Sequence, residues 1–284
     1  MAEAGGVLVI GADGMLGAAV AARLEAGGVP VVRTSRRGTS GSVPLDLAAL
    51  PAEWTPPAGI AAAVICAAVT STDACRSRPA DARRVNVDAP LQLGRRFAAA
   101  GGRIVFLSTN MVFDGSVPFV KADAGRCPRT AYGRMKADAE EGLRGCGGAA
   151  TVVRLTKVVG RTLPVIEAWR SALSRGEAVR PFSDLPMAPV SLELAAAVIA
   201  AAAREPLGAI LQVSARADVT YADVARRLAA RWGFPADLVR PSTVAESAAG
   251  LEHVPLHTTL DGSAVRDRLG LEPPDPWAAI DEVA

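Results

Sequence analysis

Tyr132 and Lys136 stand four residues apart in the helix-like stretch Ala131-Tyr-Gly-Arg-Met-Lys-Ala-Asp-Ala-Glu-Glu141. On a helix that spacing puts both side chains on one face. A nearby ammonium, joined by the positive charge of an oxidised nicotinamide, favours phenolate over phenol. That brings an acid of ordinary pKa about 10 into range for proton transfer. The pair alone reads equally well as a half-buried tyrosine and a surface lysine, so its setting matters. Upstream, an apolar strand from Arg103 to Leu107 runs into Ser108-Thr109-Asn-Met-Val-Phe113-Asp-Gly115. Hydroxyls at the C-terminal end of a strand lie where open α/β sheets hold ligands. Thr109 can there hydrogen-bond a substrate carbonyl beside Tyr132; the plainer reading is a Ser/Thr turn.

Chemistry of this kind needs a dinucleotide, and Gly11-Ala-Asp-Gly14-Met15-Leu16-Gly17 offers a place for one. The β-branched run Val7 to Ile10 fits a buried parallel strand. From Met15 to Glu25, Leu16, Val20 and Leu24 fall on one helical face. Gly11 permits the tight turn, Gly14 lets backbone approach a pyrophosphate, and Gly17 lets the helix pack on the strand. The helix N-terminus supplies free N–H groups to the phosphates. Glycine triplets are common, and the strand before and helix after give this one its weight. Val29 to Val32 reads as the second strand, followed by Arg33-Thr-Ser35-Arg36-Arg37. No carboxylate occurs between Glu25 and Asp46 to accept from a ribose 2′-hydroxyl. Arg36, with Ser35 and either Arg33 or Arg37, suits a 2′-phosphate, so NADP(H) is expected over NAD(H). The alternative is a solvated loop.

Strands and helices alternate to about residue 155, which predicts a doubly wound α/β sheet. The strands are Val7 to Ile10, Val29 to Val32, Ala63 to Cys66, Arg103 to Leu107, Val152 to Leu155 and a returning Ile210 to Val213. Pro79 to Ala100 reads as one helix, with Val85, Leu91, Leu93 and Phe97 inward. Leu163 to Arg175, a helix starting at Ser191, and Thr220 to Trp232 follow. Val224, Leu228 and Trp232 form a core stripe. Gly38 to Ser42 and Gly145 to Gly148 read as flexible loops.

With these motifs in order, the chain resembles the extended short-chain dehydrogenase/reductase superfamily, within it the dTDP-4-dehydrorhamnose reductase-like branch. The carrying residues are the glycine segment, Asp46-Leu47, Cys66-Ala-Ala-Val69, Val85-Asn86-Val87, Ser108 to Gly115, Tyr132-Gly-Arg-Met-Lys136 and Arg154-Leu-Thr-Lys-Val-Val-Gly160. Pro186-Met-Ala-Pro-Val190, Thr259-Leu-Asp261 and Pro276-Trp277 extend it over nearly the whole chain. The resemblance implies a Rossmann-type sheet, at 1–155 plus about 188–215, and a smaller interleaved substrate lobe, at about 156–187 plus 216–284. It implies that Tyr132 donates a proton to a sugar ketone, Lys136 holds the nicotinamide ribose and tunes Tyr132, and Thr109 orients the carbonyl. Asp46 and Leu47 would border the adenine. Ala67, Ala68 and Val69 would run along the ribose and pyrophosphate, and Asn86 would brace the strand ends. The implied reaction is reduction, by NADPH, of a 4-keto group on a nucleotide-linked deoxysugar. The chain departs from the branch at Asn110-Met111, where it usually has aspartate and tyrosine, and at Lys157 and Val159, where it often has tryptophan and tyrosine. Those positions belong to the expected sugar pocket.

The remaining properties bound this reading. A chain of 284 residues can bury a substantial core without staples. A net charge of +2 gives no reason to propose nucleic acid. Positive mean hydropathy comes largely from alanine, and the most apolar stretches are about half a membrane span. The N-terminus carries no basic segment ahead of an apolar run. A cytoplasmic protein is expected, with a nucleotide sugar as partner, no nucleic acid and no membrane; a homodimer is one assembly open to it. Cys66, Cys75, Cys127 and Cys146 show no paired spacing, and Cys66 reads as buried filler. His253 and His257 read as loop or strand, because Pro255 opposes helix, and no metal is expected. Two other readings stand beside reduction: a sugar-nucleotide epimerase or dehydratase, and a non-catalytic NADP-binding regulatory subunit. The dehydratase device, an acidic pair after the threonine, is missing at Asn110-Met111. The intact Thr109, Tyr132 and Lys136 set weighs against the regulatory role.

Overall fold

The computed structural model describes residues 5–38, 41–160, 163–208, 210–247 and 250–283. In chain order the elements are β1 (Gly6–Ile10), α1 (Met15–Ala26), β2 (Val31–Ser35), β3 (Val43–Pro44), β4 (Ile60–Ile65), α2 (Thr72–Ser77), α3 (Pro79–Arg83), α4 (Ala89–Ala99), β5 (Arg103–Thr109), α5 (Ala131–Arg144) and β6 (Ala150–Leu155). Then come β7 (Lys157–Val159), α6 (Pro164–Ser174), β8 (Pro186–Met187), β9 (Pro189–Ser191), α7 (Leu192–Arg204), β10 (Ile210–Val213), β11 (Val219–Thr220), α8 (Tyr221–Arg231), α9 (Ser263–Leu269) and α10 (Pro276–Asp281).

Seven strands form one parallel sheet in the order β10-β6-β5-β4-β1-β2-β3. The order reverses beside β1, between β1 and β4, which is where doubly wound sheets open a crevice for ligands. The central strands are apolar without alternation because both faces are covered. Val7 and Val9 point to one face and pack with α1, α7 and Val265 of α9; Leu8 and Ile10 point to the other, with α4 and α5. A separate apolar cluster is built from α6, α8 and α10, including Ile166, Trp169, Val224, Leu228 and Ile280.

Several sequence expectations shift. The second strand begins at Val31 and reaches Ser35, so Ser35 closes the strand and only Arg36 and Arg37 follow it. The third reaches back to Ile60 and ends at Ile65, leaving Cys66 in the loop beyond, half-buried and packed against the core. β3 pairs only Val43 and Pro44 at the sheet edge, too short to give a period. The helix expected over Pro79 to Ala100 is three pieces: α3, a wider π turn at Arg84–Asp88, and α4. Cap residues place the others: Ser191 accepts from Leu194 N–H and Thr220 forms a capping box with Asp223. Trp232, half-buried, is the C-cap of α8. The Gly145 to Gly148 loop contains a 3₁₀ turn at Gly147–Ala149. The Gly38 to Ser42 expectation lies partly outside the described residues. No helix among the described residues is long and apolar enough to cross a membrane.

Candidate active site

The glycine turn packs against itself and its neighbour strand. Gly11 has φ +89°, and a Cβ there would sit 2.7 Å from the Ala67 nitrogen, in the loop after β4. At Gly17 a Cβ would lie 2.2 Å from the Gly11 carbonyl oxygen, so α1 could not dock with any side chain there. A Cβ at Gly14 would meet nothing closer than 3.4 Å. The chain's own packing therefore explains Gly11 and Gly17 but not Gly14. Gly14 is also the N-cap of α1 and supplies no side-chain acceptor, so the first N–H groups, on Met15, Leu16 and Gly17, keep no intrahelical partner. That is a cradle for an anion, and a dinucleotide pyrophosphate fits it.

At the end of β2 the arginines separate. Arg33 is held by Glu25 through two hydrogen bonds of 2.9 and 2.7 Å. The carboxylate in the last turn of α1 thus takes Arg33, which is not available to a 2′-phosphate. Ser35 is buried and its hydroxyl accepts from Gly38 N–H. Arg36 and Arg37 are exposed, without a partner among the described residues. Asp46 caps the 3₁₀ turn Leu47–Ala49 through Ala48 N–H, and Leu47 is buried beneath it. Ala67, Ala68 and Val69 are half-buried. Asn86, from the π turn, accepts from Val69 N–H and donates to Val69 O, both at 2.9 Å, and so fixes that loop.

Thr109 ends β5, and its hydroxyl accepts from Met111 N–H at 3.2 Å. Helix α5 starts one residue before Tyr132, capped by the Thr130 hydroxyl on Gly133 N–H. A Cβ at Gly133 would lie 2.2 Å from the Met111 carbonyl oxygen. The glycine after the tyrosine thus lets α5 press on the turn that carries Thr109. Lys136 is buried, and its ammonium donates to Leu107 O at 2.8 Å and lies 5.8 Å from the Tyr132 ring centre. Burial lowers the Lys136 pKa to about 8, opposed by the negative charge of Glu140. Burial pushes the Tyr132 phenol above its ordinary value, with the Cys75 thiol adding to the rise. In the protein without cofactor, burial therefore sets the direction for the phenol. Desolvation of the phenol outweighs an ammonium that is itself buried and turned to a backbone carbonyl.

Under this floor lies a polar network that sequence reasoning missed. Ser108 donates to Glu140 at 2.5 Å, and Glu140 also accepts from Arg154 at 3.0 and 2.7 Å. Arg154 reaches on to Ala122 O and the Gln212 side chain. Both charges are buried, at 2% and 1% exposure. Arg154 inside the fully buried Ala150–Leu155 strand was the available signal, since a buried cation needs a carboxylate.

Thr109, Tyr132 and Lys136 line one cleft of about 500 Å³, together with Leu16, Cys66 and Ala68 from the glycine and β4 loops. Its far wall comes from Thr156 to Val158, Leu185 to Met187, Tyr221 and the 251–258 segment. In that segment Glu252 accepts from Ala131 N–H, at the N-terminus of α5, and His253 Nε2 lies 2.6 Å from Asp114 O. No local spacing announces these contacts, which join residues about 120 to 140 apart. His257 sits 3.7 Å from the Asp218 carboxylate. Burial raises the Cys66 thiol to about 12, which makes it a poor nucleophile.

The family described as "RmlD substrate binding domain" matches residues 5–284. The chain belongs to this dTDP-4-dehydrorhamnose reductase-like branch of the extended short-chain dehydrogenase/reductase superfamily. It is 31% identical over 246 residues, 83% of this chain and 80% of the relative, to a probable dTDP-4,6-dihydroxy-2-methyloxan-3-one 4-ketoreductase of Streptomyces antibioticus. In fold it is similar to a dTDP-4-dehydrorhamnose reductase of Clostridium acetobutylicum, with TM-score 0.83, 20% identity, and 98% and 97% of the two chains covered. A dTDP-4-dehydrorhamnose reductase of Bacillus anthracis solved with NADP gives TM-score 0.83 at 17% identity, covering 100% and 98%. As a member of this family the chain is an NAD(P)-dependent oxidoreductase.

Proposed function

We propose that the protein reduces a keto group on a nucleotide-linked deoxysugar, with NADPH preferred over NADH. The observation that carries this is the single cleft holding Thr109, Tyr132 and Lys136 beside the glycine turn. The family match over 5–284 and the ketoreductase relative support it. In this reading 1–155 plus about 188–215 holds the cofactor, and about 156–187 plus 216–284 shapes the sugar pocket.

Gly11, Gly14, Met15, Leu16 and Gly17 would hold the pyrophosphate, Ala67 to Val69 the ribose side, and Asp46 and Leu47 the adenine. The bound cofactor supplies a hydride. Tyr132 gives the proton from its phenol oxygen to the carbonyl oxygen, which becomes the alcohol. A phenol of ordinary pKa about 10 already carries that proton at neutral pH. Thr109, its rotamer fixed by Met111 N–H, orients the carbonyl. Lys136 holds ribose hydroxyls and its charge steadies the phenolate left after transfer. The test is loss of NADPH absorbance with a panel of keto-sugar nucleotides: turnover with a 4-keto-6-deoxyhexose nucleotide is expected, and none with any of the panel contradicts the reading.

Cofactor preference has its own expected result. A 2′-phosphate brings about two negative charges, and in this reading Arg36, with Arg37 and the Ser35 hydroxyl, would meet them. One charge-assisted hydrogen bond contributes about 1.5–3 kcal/mol, so Arg36→Ala should weaken NADPH roughly 10- to 150-fold. NADH binding should stay constant. Equal wild-type dissociation constants, or equal weakening of both cofactors, would show a solvated loop.

Lys136 predicts a pH dependence. Its depressed pKa means the ammonium is present below about pH 8 and lost as pH rises through that value. NADPH affinity should then fall by roughly tenfold between pH 7 and 9.5, as a charged donor becomes neutral. Lys136→Met should bind weakly with no such step. A flat wild-type profile over this range speaks against the role.

A further inference from the structure

Four charged side chains line the cleft: Lys136, Lys157, Glu252 and His253, counting histidine as chargeable. Lys136 donates to Leu107 O, Glu252 accepts from Ala131 N–H, and His253 is engaged with Asp114 O. Lys157 alone has no hydrogen-bond or ion-pair partner among the described residues. It is half-buried, and Leu155, Val158, Leu185, Pro186 and Met187 line the same wall.

The backbone beneath Lys157 is fixed from several sides. Thr156 donates its N–H to Val213 O and its hydroxyl to Ala188 O at 2.6 Å. Lys157 opens β7 and pairs in register with Pro189 of β9. A cation is thus anchored at the C-terminal end of β6, facing a partly apolar cleft and uncompensated by the protein. Half-burial among apolar groups costs an ammonium part of its hydration, and that cost is recovered when an anion docks. Pre-placement keeps the ordering cost of docking low.

We propose that Lys157 binds an oxyanion of the substrate, making it a specificity-determining residue that selects anionic ligands. This rests on the nucleotide-sugar reading. Two groups on such a molecule share the chemistry, the bridging diphosphate and a carboxylate on the sugar ring.

The test measures dissociation constants by calorimetry on NADP-saturated protein for thymidine diphosphate, a dTDP-hexose and the matching dTDP-hexuronate. Wild type is compared with Lys157→Gln and Lys157→Arg. If the diphosphate is the anion, Lys157→Gln weakens all three ligands alike, by roughly 10- to 150-fold, the scale of one charge-assisted bond. If a carboxylate is the anion, only the hexuronate weakens by that factor. In either case Lys157→Arg, which keeps the charge, restores most of the affinity. Unchanged binding in Lys157→Gln overturns this proposal alone, as does weakening of both sugar ligands without thymidine diphosphate, which would mark a contact to sugar hydroxyls. Failure of wild type to bind any of the three overturns the substrate reading, and this one with it. NADPH affinity equal to wild type shows that the variants are folded.

Discussion

Tyr132→Phe is expected to lower turnover roughly 100- to 10,000-fold, the usual scale for a positioned general acid. The ring is kept, so its packing at the start of α5 is kept, and only the oxygen that carries the proton is removed. NADPH affinity should stay within about twofold of wild type, because the cradle at Gly11 to Gly17 is untouched. The loss should fall on turnover with little change in the Michaelis constant, as for an interaction made only in the transition state. Stopped-flow single turnovers separate this from slow product release. A variant with near-native single-turnover rates would remove Tyr132 from the mechanism.

Glu140→Ala should cost about 3–5 kcal/mol of folding stability, the range for a buried ion pair that loses one partner. Arg154 would keep its charge at 1% exposure with no carboxylate partner, left with Ala122 O, the Gln212 side chain and the Phe113 ring 4.9 Å away. Ser108 would lose its acceptor directly below Thr109. Urea denaturation measures the loss. The paired replacement Glu140→Leu with Arg154→Met should recover most of it, since removing both charges leaves neither stranded. Lys136 gives a second readout, because the Glu140 charge raises its pKa. In any folded Glu140 variant the pH step in NADPH binding should move below pH 8. Stability within about 1 kcal/mol of wild type would show the network to be ornamental.

What was legible in sequence follows the range of the interactions. The β1–turn–α1 unit could be read because its causes lie within a dozen residues: a run buried on both faces, then Gly11 and Gly17, where an added Cβ would have no room. Tyr132 and Lys136 could be read for the same reason, as partners one helical turn apart. The end of β2 was read too simply. Glu25, eight residues before Arg33, was counted as outside the segment, yet it takes that arginine in a paired hydrogen bond. The burial that raises the Tyr132 phenol is not legible in sequence, which shows a neighbouring charge and not the depth of burial. Glu140 with Arg154, and Glu252 with Ala131, are joined by the fold alone. β3 has two paired residues and no period to detect.

The most direct test of the central claim uses NADPH deuterated at the transferable C4 position, with dTDP-4-keto-6-deoxyglucose as the probe. A single turnover should place deuterium on the former keto carbon of the sugar, detected by mass spectrometry and by loss of the carbinol proton signal. The label should appear stoichiometrically with wild type and fall with the rate in Tyr132→Phe. Sugar product carrying no deuterium, or NADP bound tightly with no keto sugar consumed, would contradict a reductase.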